Sequence, residues 1–200
     1  VLVAVGISPN SNDLGLEALG VQSTRGFIDI DTHMATNVAG IYAIGDVTGK
    51  LLLAHVASAQ GIAAVEAIAG HGSQPLNYEI MPRAVYCQPQ VTSFGISEIQ
   101  AVERGIDIKV GRFPFQANGK ALAMGEPDGL VKLIVDSDSD EILGGHMVGT
   151  NVTELLGELT LARLLDGTTM EVGWLVNSHP TMSEAIKEAA LAADGRAIHI

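Results

Sequence analysis

Cysteine is almost missing from this chain: Cys87 stands alone, so no internal disulfide can form, and any dithiol chemistry must use thiols supplied from elsewhere. Basic residues are scarce as well. Eleven Lys and Arg stand against 23 Asp and Glu, a net charge of −12. That balance argues against a nucleic-acid partner, because phosphates are bound by clustered cations, and against an anionic membrane surface. No apolar run approaches the length needed to span a bilayer, and the N-terminus has no basic flank followed by a hydrophobic stretch and a cleavage site. The expectation is a cytoplasmic protein with no membrane partner. Zinc signatures are absent too: there is no His-Glu-x-x-His, and Cys87 has no Cys-x-x-Cys mate. Asp136, Asp138 and Asp140 have the odd spacing of a calcium loop, but Glu141 stands where glycine is required and Met147 where a bidentate Glu would close the site. A solvated hairpin turn is expected there. His33, His71 and His199 read as surface or terminal residues, His146 as structural, and Cys87 as inert core at the end of an apolar strand.

An apolar fraction of 47% over 200 residues suffices for a real core. Residues 1–5 form a continuous apolar run stopped by Gly6 and Pro9, which predicts a strand buried on both faces. Such a strand needs neighbours, none precedes it, and no initiator Met is present, so the chain is expected to begin inside a larger protein. Residues 20–46 carry β and turn signals, with alternation over 27–31 and a short apolar run, 40–46, that reads as a buried strand ending in Gly45-Asp46. Residues 51–69 predict a helix covered on most sides, ended by Gly70 and Gly72, with a domain boundary at Ser73-Gln74-Pro75. From about Asn77 the pattern changes to short strands alternating with capped helices. Strands are predicted at 83–87, 108–115, 130–136 and 142–149. Capping-box spacing recurs at Ser97/Gln100, Asn151/Glu154, Thr168/Glu171 and Thr181/Glu184. The fold class is thus an α/β segment followed by an α+β domain on a mainly antiparallel sheet.

Three stretches carry chemistry. Thr36-Asn37-Val38-Ala39-Gly40-Ile41-Tyr42-Ala43-Ile44-Gly45-Asp46 resembles the second flavin fingerprint of flavoproteins with two dinucleotide-binding domains. Gly45 would let the backbone approach a cofactor, and the Asp46 carboxylate can accept a hydrogen bond from a ribityl hydroxyl. Leu52-Leu53-Ala54-His55 opens a helix whose first N–H groups and dipole favour negative charge, as on reduced flavin; the backbone there is a better candidate than the His55 ring. Ser178-His179-Pro180-Thr181-Met182-Ser183-Glu184 admits two readings from spacing alone. Thr181 and Glu184 can form a plain capping box beside a surface histidine, or Glu184 can fix the tautomer of His179 and leave the other ring nitrogen to move a proton.

Taken with Gly6-x-x-Pro9-Asn10 and the ending Gly195-Arg196-Ala197-Ile198-His199, these stretches resemble, in order and over essentially the whole chain, the dihydrolipoamide dehydrogenases of the class I pyridine nucleotide-disulfide oxidoreductases. The resemblance implies the end of an NAD-binding domain at 1–8, the C-terminal part of an FAD/central domain at 9–76, and a dimerisation (interface) domain at 77–200. It implies Gly6 near NAD, Asp46 and Leu52, Leu53, Ala54 and His55 on FAD, and His179 with Glu184 as an acid/base dyad reaching across a homodimer interface, with a cis His179–Pro180 bond. The implied partners are a second copy of the chain, through residues 77–200, and lipoyl domains of 2-oxoacid dehydrogenase or glycine cleavage complexes. Departures are also visible. Ile7-Ser8 stand where the family often has basic residues, and Asn177 where it often has a second histidine. The two Gly-x-Gly-x-x-Gly phosphate loops and the redox cysteine pair are missing. The chain alone is therefore expected neither to retain FAD and NAD nor to turn over. The competing expectations are a dimerisation module without catalysis, and the equivalent part of a related reductase such as glutathione reductase.

Overall fold

The computed structural model describes residues 1–72 and 74–200; Ser73, part of the expected boundary, lies outside the described residues. The chain divides into two compact units, Val1–Tyr78 and Glu79–Ile200.

The first unit holds a small antiparallel ribbon, β1 (Ser23–Thr24) with β2 (Phe27–Ile28), and one long helix, α1 (Ala54–Ile68). Two strand expectations fail here. Residues 1–10 form no strand, and Val1, Leu2, Val3 and Val5 are exposed. An apolar run becomes a buried strand only when neighbours pair with its backbone, and the described residues supply none. In the run 40–46, only Tyr42 makes a bridge, to Ala35, while Ala43 is buried and Ile44 exposed. The helix forms close to the expected bounds, but Ile62, Val65 and Ile68 line an uncovered face.

The second unit is built on a five-stranded, wholly antiparallel sheet. In chain order it contains β3 (Arg83–Val85), β4 (Gln90–Gly95), α2 (Glu98–Glu103), β5 (Ile108–Pro114), α3 (Gly119–Met124), β6 (Leu130–Asp136), β7 (Ile142–Gly149), α4 (Val152–Leu164), α5 (Thr169–Trp174) and α6 (Glu184–Ala193). The sheet order is β3-β4-β7-β6-β5. Alternation along β6 buries Val131, Leu133 and Val135 in the main core with Phe94, Phe113, Ile142, Leu159 of α4 and Ile186 of α6. Ile134 lies in a separate small cluster with Ile96 and Ala101 of α2. Each fully buried Leu, Ile or Phe contributes about 1.5–3 kcal/mol of transfer free energy, so the larger cluster dominates stability.

Local chemistry explains several boundaries. Asp136 Oδ1 accepts the N–H groups of Asp138 (3.0 Å) and Ser139 (2.9 Å) and the Ser139 hydroxyl (3.0 Å), which builds the β6–β7 turn. Full capping boxes start α2 at Ser97/Gln100 and α5 at Thr168/Glu171. The other two expected boxes differ. Asn151 is left-handed (φ 59°) and its side chain caps nothing, and Thr181/Glu184 is half a box, because the Thr181 hydroxyl donates to Ser178 O instead. His146 Nε2–H donates to Ile96 O at 3.0 Å. β3 ends at Val85, so Cys87 lies beyond it and is exposed, contrary to the expected core placement.

Candidate functional site

The segment between α5 and α6 is pinned from both sides. The Thr181 hydroxyl donates to Ser178 O (2.7 Å), and the buried Asn118 donates from Nδ2 to Thr181 O (3.1 Å) while its Oδ1 caps α3 by accepting Ala121 N–H (2.9 Å). The His179–Pro180 peptide is cis. A Cβ on Gly119 would lie 3.9 Å from His179 Cε1, so the imidazole packs over the first turn of α3. Within this frame Glu184, the first residue of α6, accepts Thr181 N–H at Oε2 (2.8 Å) and faces His179 Nδ1 at Oε1 (2.9 Å).

Burial pushes the Glu184 carboxyl upward, but the Thr181 N–H and the His179 ring outweigh it, and the group is held below the ordinary glutamate range. An ionised carboxylate only accepts, so Nδ1 carries the proton and Nε2 of the neutral ring is the basic nitrogen. No protein group among the described residues bonds Nε2, and the His179 side chain is 77% exposed. The arrangement is an oriented imidazole that can take a proton from a group brought to it.

Next to it lies a cavity of about 320 Å³, lined by Phe113, Leu122, His179, Glu184, Glu188 and His199, among others. Sequence reasoning missed the last pair. Glu188, one turn after Glu184 on α6 and 4% exposed, faces His199 Nδ1 at 2.8 Å and accepts the N–H groups of Ile198 (2.8 Å) and His199 (3.3 Å). The i, i+4 spacing of Glu184 and Glu188 puts both on one face of α6 and was the available signal.

The remaining candidates lie in the other unit. Gly45 (φ 77°) leads into a single 3-10 turn, Asp46–Thr48; its N–H donates to Gln60 Oε1 at 2.5 Å, and a Cβ there would meet Ala57 Cβ at 3.4 Å. The glycine thus allows both the positive φ and the close approach to α1. Asp46 is exposed, and α1 opens after Leu53 without a side-chain cap, with Leu52, Ala54 and His55 also exposed. An exposed carboxylate and a helix start without a side-chain cap, joined by a short segment, fit the hydroxyls and the anionic edge of a flavin. Gly6 (φ 112°) sits in the exposed segment 1–8, outside any helix or strand, and a Cβ added to it would have nothing within 4 Å.

Comparison with known proteins identifies the family and the fold. The dimerisation-domain profile of the pyridine nucleotide-disulphide oxidoreductases matches residues 81–190, and a second profile of the pyridine nucleotide-disulphide oxidoreductases matches residues 1–61. Dihydrolipoyl dehydrogenase of Corynebacterium glutamicum is 54% identical over the whole chain, which spans 43% of that relative, and that of Bacillus subtilis is 48% identical with 42% of its length spanned. Among solved structures, LpdA from Mycobacterium tuberculosis superimposes with a TM-score of 0.89 at 28% identity, over 94% of this chain and 41% of the other. The HOCl-induced flavoprotein disulfide reductase RclA from Escherichia coli gives 0.86 at 26% identity, over 92% and 43%. The chain therefore spans about two-fifths of the length of these relatives.

Proposed function

The chain belongs to the pyridine nucleotide-disulphide oxidoreductases, and from that premise we propose that it supplies the acid/base side of a dihydrolipoyl dehydrogenase. In this reading, His179 Nε2 takes the proton of a dithiol substrate and returns it later in the cycle, so the attacking sulfur is a thiolate. Glu184 holds the tautomer and stabilises the imidazolium formed by that transfer. The family is FAD- and NAD-dependent; when bound, these groups carry the two electrons released as the dithiol becomes a disulfide. Asp46 and the backbone of Leu52, Leu53, Ala54 and His55 are assigned to FAD, and Gly6 to the neighbourhood of NAD. Residues 1–8, 9–76 and 77–200 are assigned to the NAD, FAD/central and dimerisation domains. The dimerisation profile goes with a homodimer. Lipoyl domains of 2-oxoacid dehydrogenase or glycine cleavage complexes, and a cytoplasmic setting, complete the reading.

The observation that carries this reading is the His179 Nδ1 to Glu184 Oε1 contact of 2.9 Å, in which a carboxylate already anchored by Thr181 N–H leaves Nε2 available. The test replaces His179 by Gln in the enzyme that joins this sequence to its flavin- and cysteine-bearing segments. Bound flavin is retained, and dithiol oxidation falls by about 10²- to 10⁴-fold, the usual contribution of a positioned acid/base group. Near-normal turnover with flavin bound sinks the assignment.

A further inference from the structure

Two buried side-chain oxygens in the second unit have no hydrogen-bond partner among the described residues: Glu158 Oε1 on α4 and Asn177 Oδ1 in the segment leading to His179. Both are acceptors if Glu158 is ionised, and a buried acceptor without a donor costs about 1–3 kcal/mol. The two residues are neighbours. Side-chain hydrogen bonds from Ser183, just before α6, and from Asn177 favour the ionised Glu158 carboxyl, but neither group carries charge, and burial, which disfavours the ionised form, is the larger influence. Glu158 therefore reaches both ends of the segment that carries His179 and Pro180, and no cation is among the groups of the described residues that act on it.

A proton resolves the arrangement. A neutral carboxylic acid and a primary amide form a closed pair, in which the acid O–H donates to the amide oxygen and the amide N–H donates to the acid carbonyl. Glutamate offers no donor to Asn177 Oδ1; glutamic acid does. We infer that Glu158 is a neutral carboxylic acid paired with the Asn177 amide, and that the pair is a positioning element for the segment bearing His179. Its catalytic consequence rests on the acid/base reading of His179, but its chemistry does not. Burial raising the Glu158 carboxyl above the ordinary glutamate range agrees with it.

The experiment is infrared spectroscopy of the chain at neutral pH. A protonated-carboxyl C=O band is expected in the wild type, and its loss in Glu158→Gln assigns it to Glu158. Because Gln keeps the shape and neutrality of the acid, the Glu158→Gln chain stays folded, and its His179 imidazole nitrogen signals by NMR stay in place. Asn177→Leu removes the amide, and those signals shift. Absence of the band from the wild-type spectrum overturns the proposal, whether or not the variants fold. Unmoved His179 signals in folded Asn177→Leu overturn the positioning role. Neither readout requires turnover, so failure here is separable from failure of the dehydrogenase reading.

Discussion

Glu184 and Glu188 show how one residue type does two jobs on one helix face. Each is a carboxylate that accepts backbone N–H and faces an imidazole Nδ1, but Glu184 orients an exposed ring whereas Glu188 ties the last residues of the chain to α6. For Glu188, burial pushes the carboxyl up, and the His199 ring with the Ile198 and His199 N–H groups brings it below the ordinary range. Glu188→Ala leaves those donors without their acceptor and is expected to cost about 2 kcal/mol. Urea unfolding measures the loss, and faster amide exchange at Ile198 and His199 locates it. The linkage has a definite sign. A depressed folded-state pKa means that the contribution of Glu188 is present above the unfolded value and is lost as pH falls through the folded value. Glu158, shifted the other way, contributes fully below the unfolded value and loses its contribution as pH rises through the folded one. The His179 and Glu184 pairing, five positions apart, was one of the two readings that spacing left open, and the family resemblance selected it. The Asn118 to Thr181 clamp spans 63 residues and Glu188 to His199 spans 11, and both depend on where the chain returns in three dimensions.

At the scale of elements, α6 sits against β5 through a position that admits only glycine. A Cβ on Gly111 would lie 2.0 Å from Ala189 O and 2.9 Å from Ala193 N, both backbone atoms. Gly111→Ala must displace the helix that begins with Glu184, and the overpacking is expected to cost about 1–3 kcal/mol or more. Gly157, inside α4, is the control: nothing lies within 4 Å of its added Cβ, so Gly157→Ala is expected to stabilise by about 0.5–1 kcal/mol through helix propensity. Denaturant midpoints of the two variants moving in the same direction would refute this account of the α6–β5 contact. Legibility varies in the same physical way. β6 and β7 were read at their observed bounds because alternating burial and the Asp136 turn agree. β4 was missed because its pattern is inverted: Thr92 is buried, with its hydroxyl donating to Arg83 O at 2.8 Å, while Val91 is 43% exposed. The runs 1–5 and 40–46 failed for the opposite reason, since an apolar sequence cannot declare whether a pairing neighbour exists.

For the whole molecule, two quantities oppose each other in self-association. Leu161, Leu164, Leu165, Trp174 and Val176 are 56–88% exposed along α4, α5 and the segment after it, in the region matched by the dimerisation-domain profile. Covering such a surface with a second copy is favourable at roughly 25 cal/mol per Å² of apolar area. Against this, each copy carries a net charge of −12, so approach of two copies is repulsive. Salt weakens the repulsion, with a screening length of about 8 Å at 0.15 M, and leaves apolar burial intact. The dimer is therefore expected to tighten as salt is raised, whereas a contact built on ion pairs would loosen. Trp174→Lys places a cation in the apolar surface and is expected to weaken association by at least about tenfold, or 1.4 kcal/mol. Sedimentation across a salt series reads both effects, and the same samples carry a further measurement. Mixed with FAD, the chain is expected to stay colourless after gel filtration, because the phosphate-binding glycine loops are not in its sequence. A stoichiometric yellow dimer would mean that Asp46 and the start of α1 hold flavin on their own.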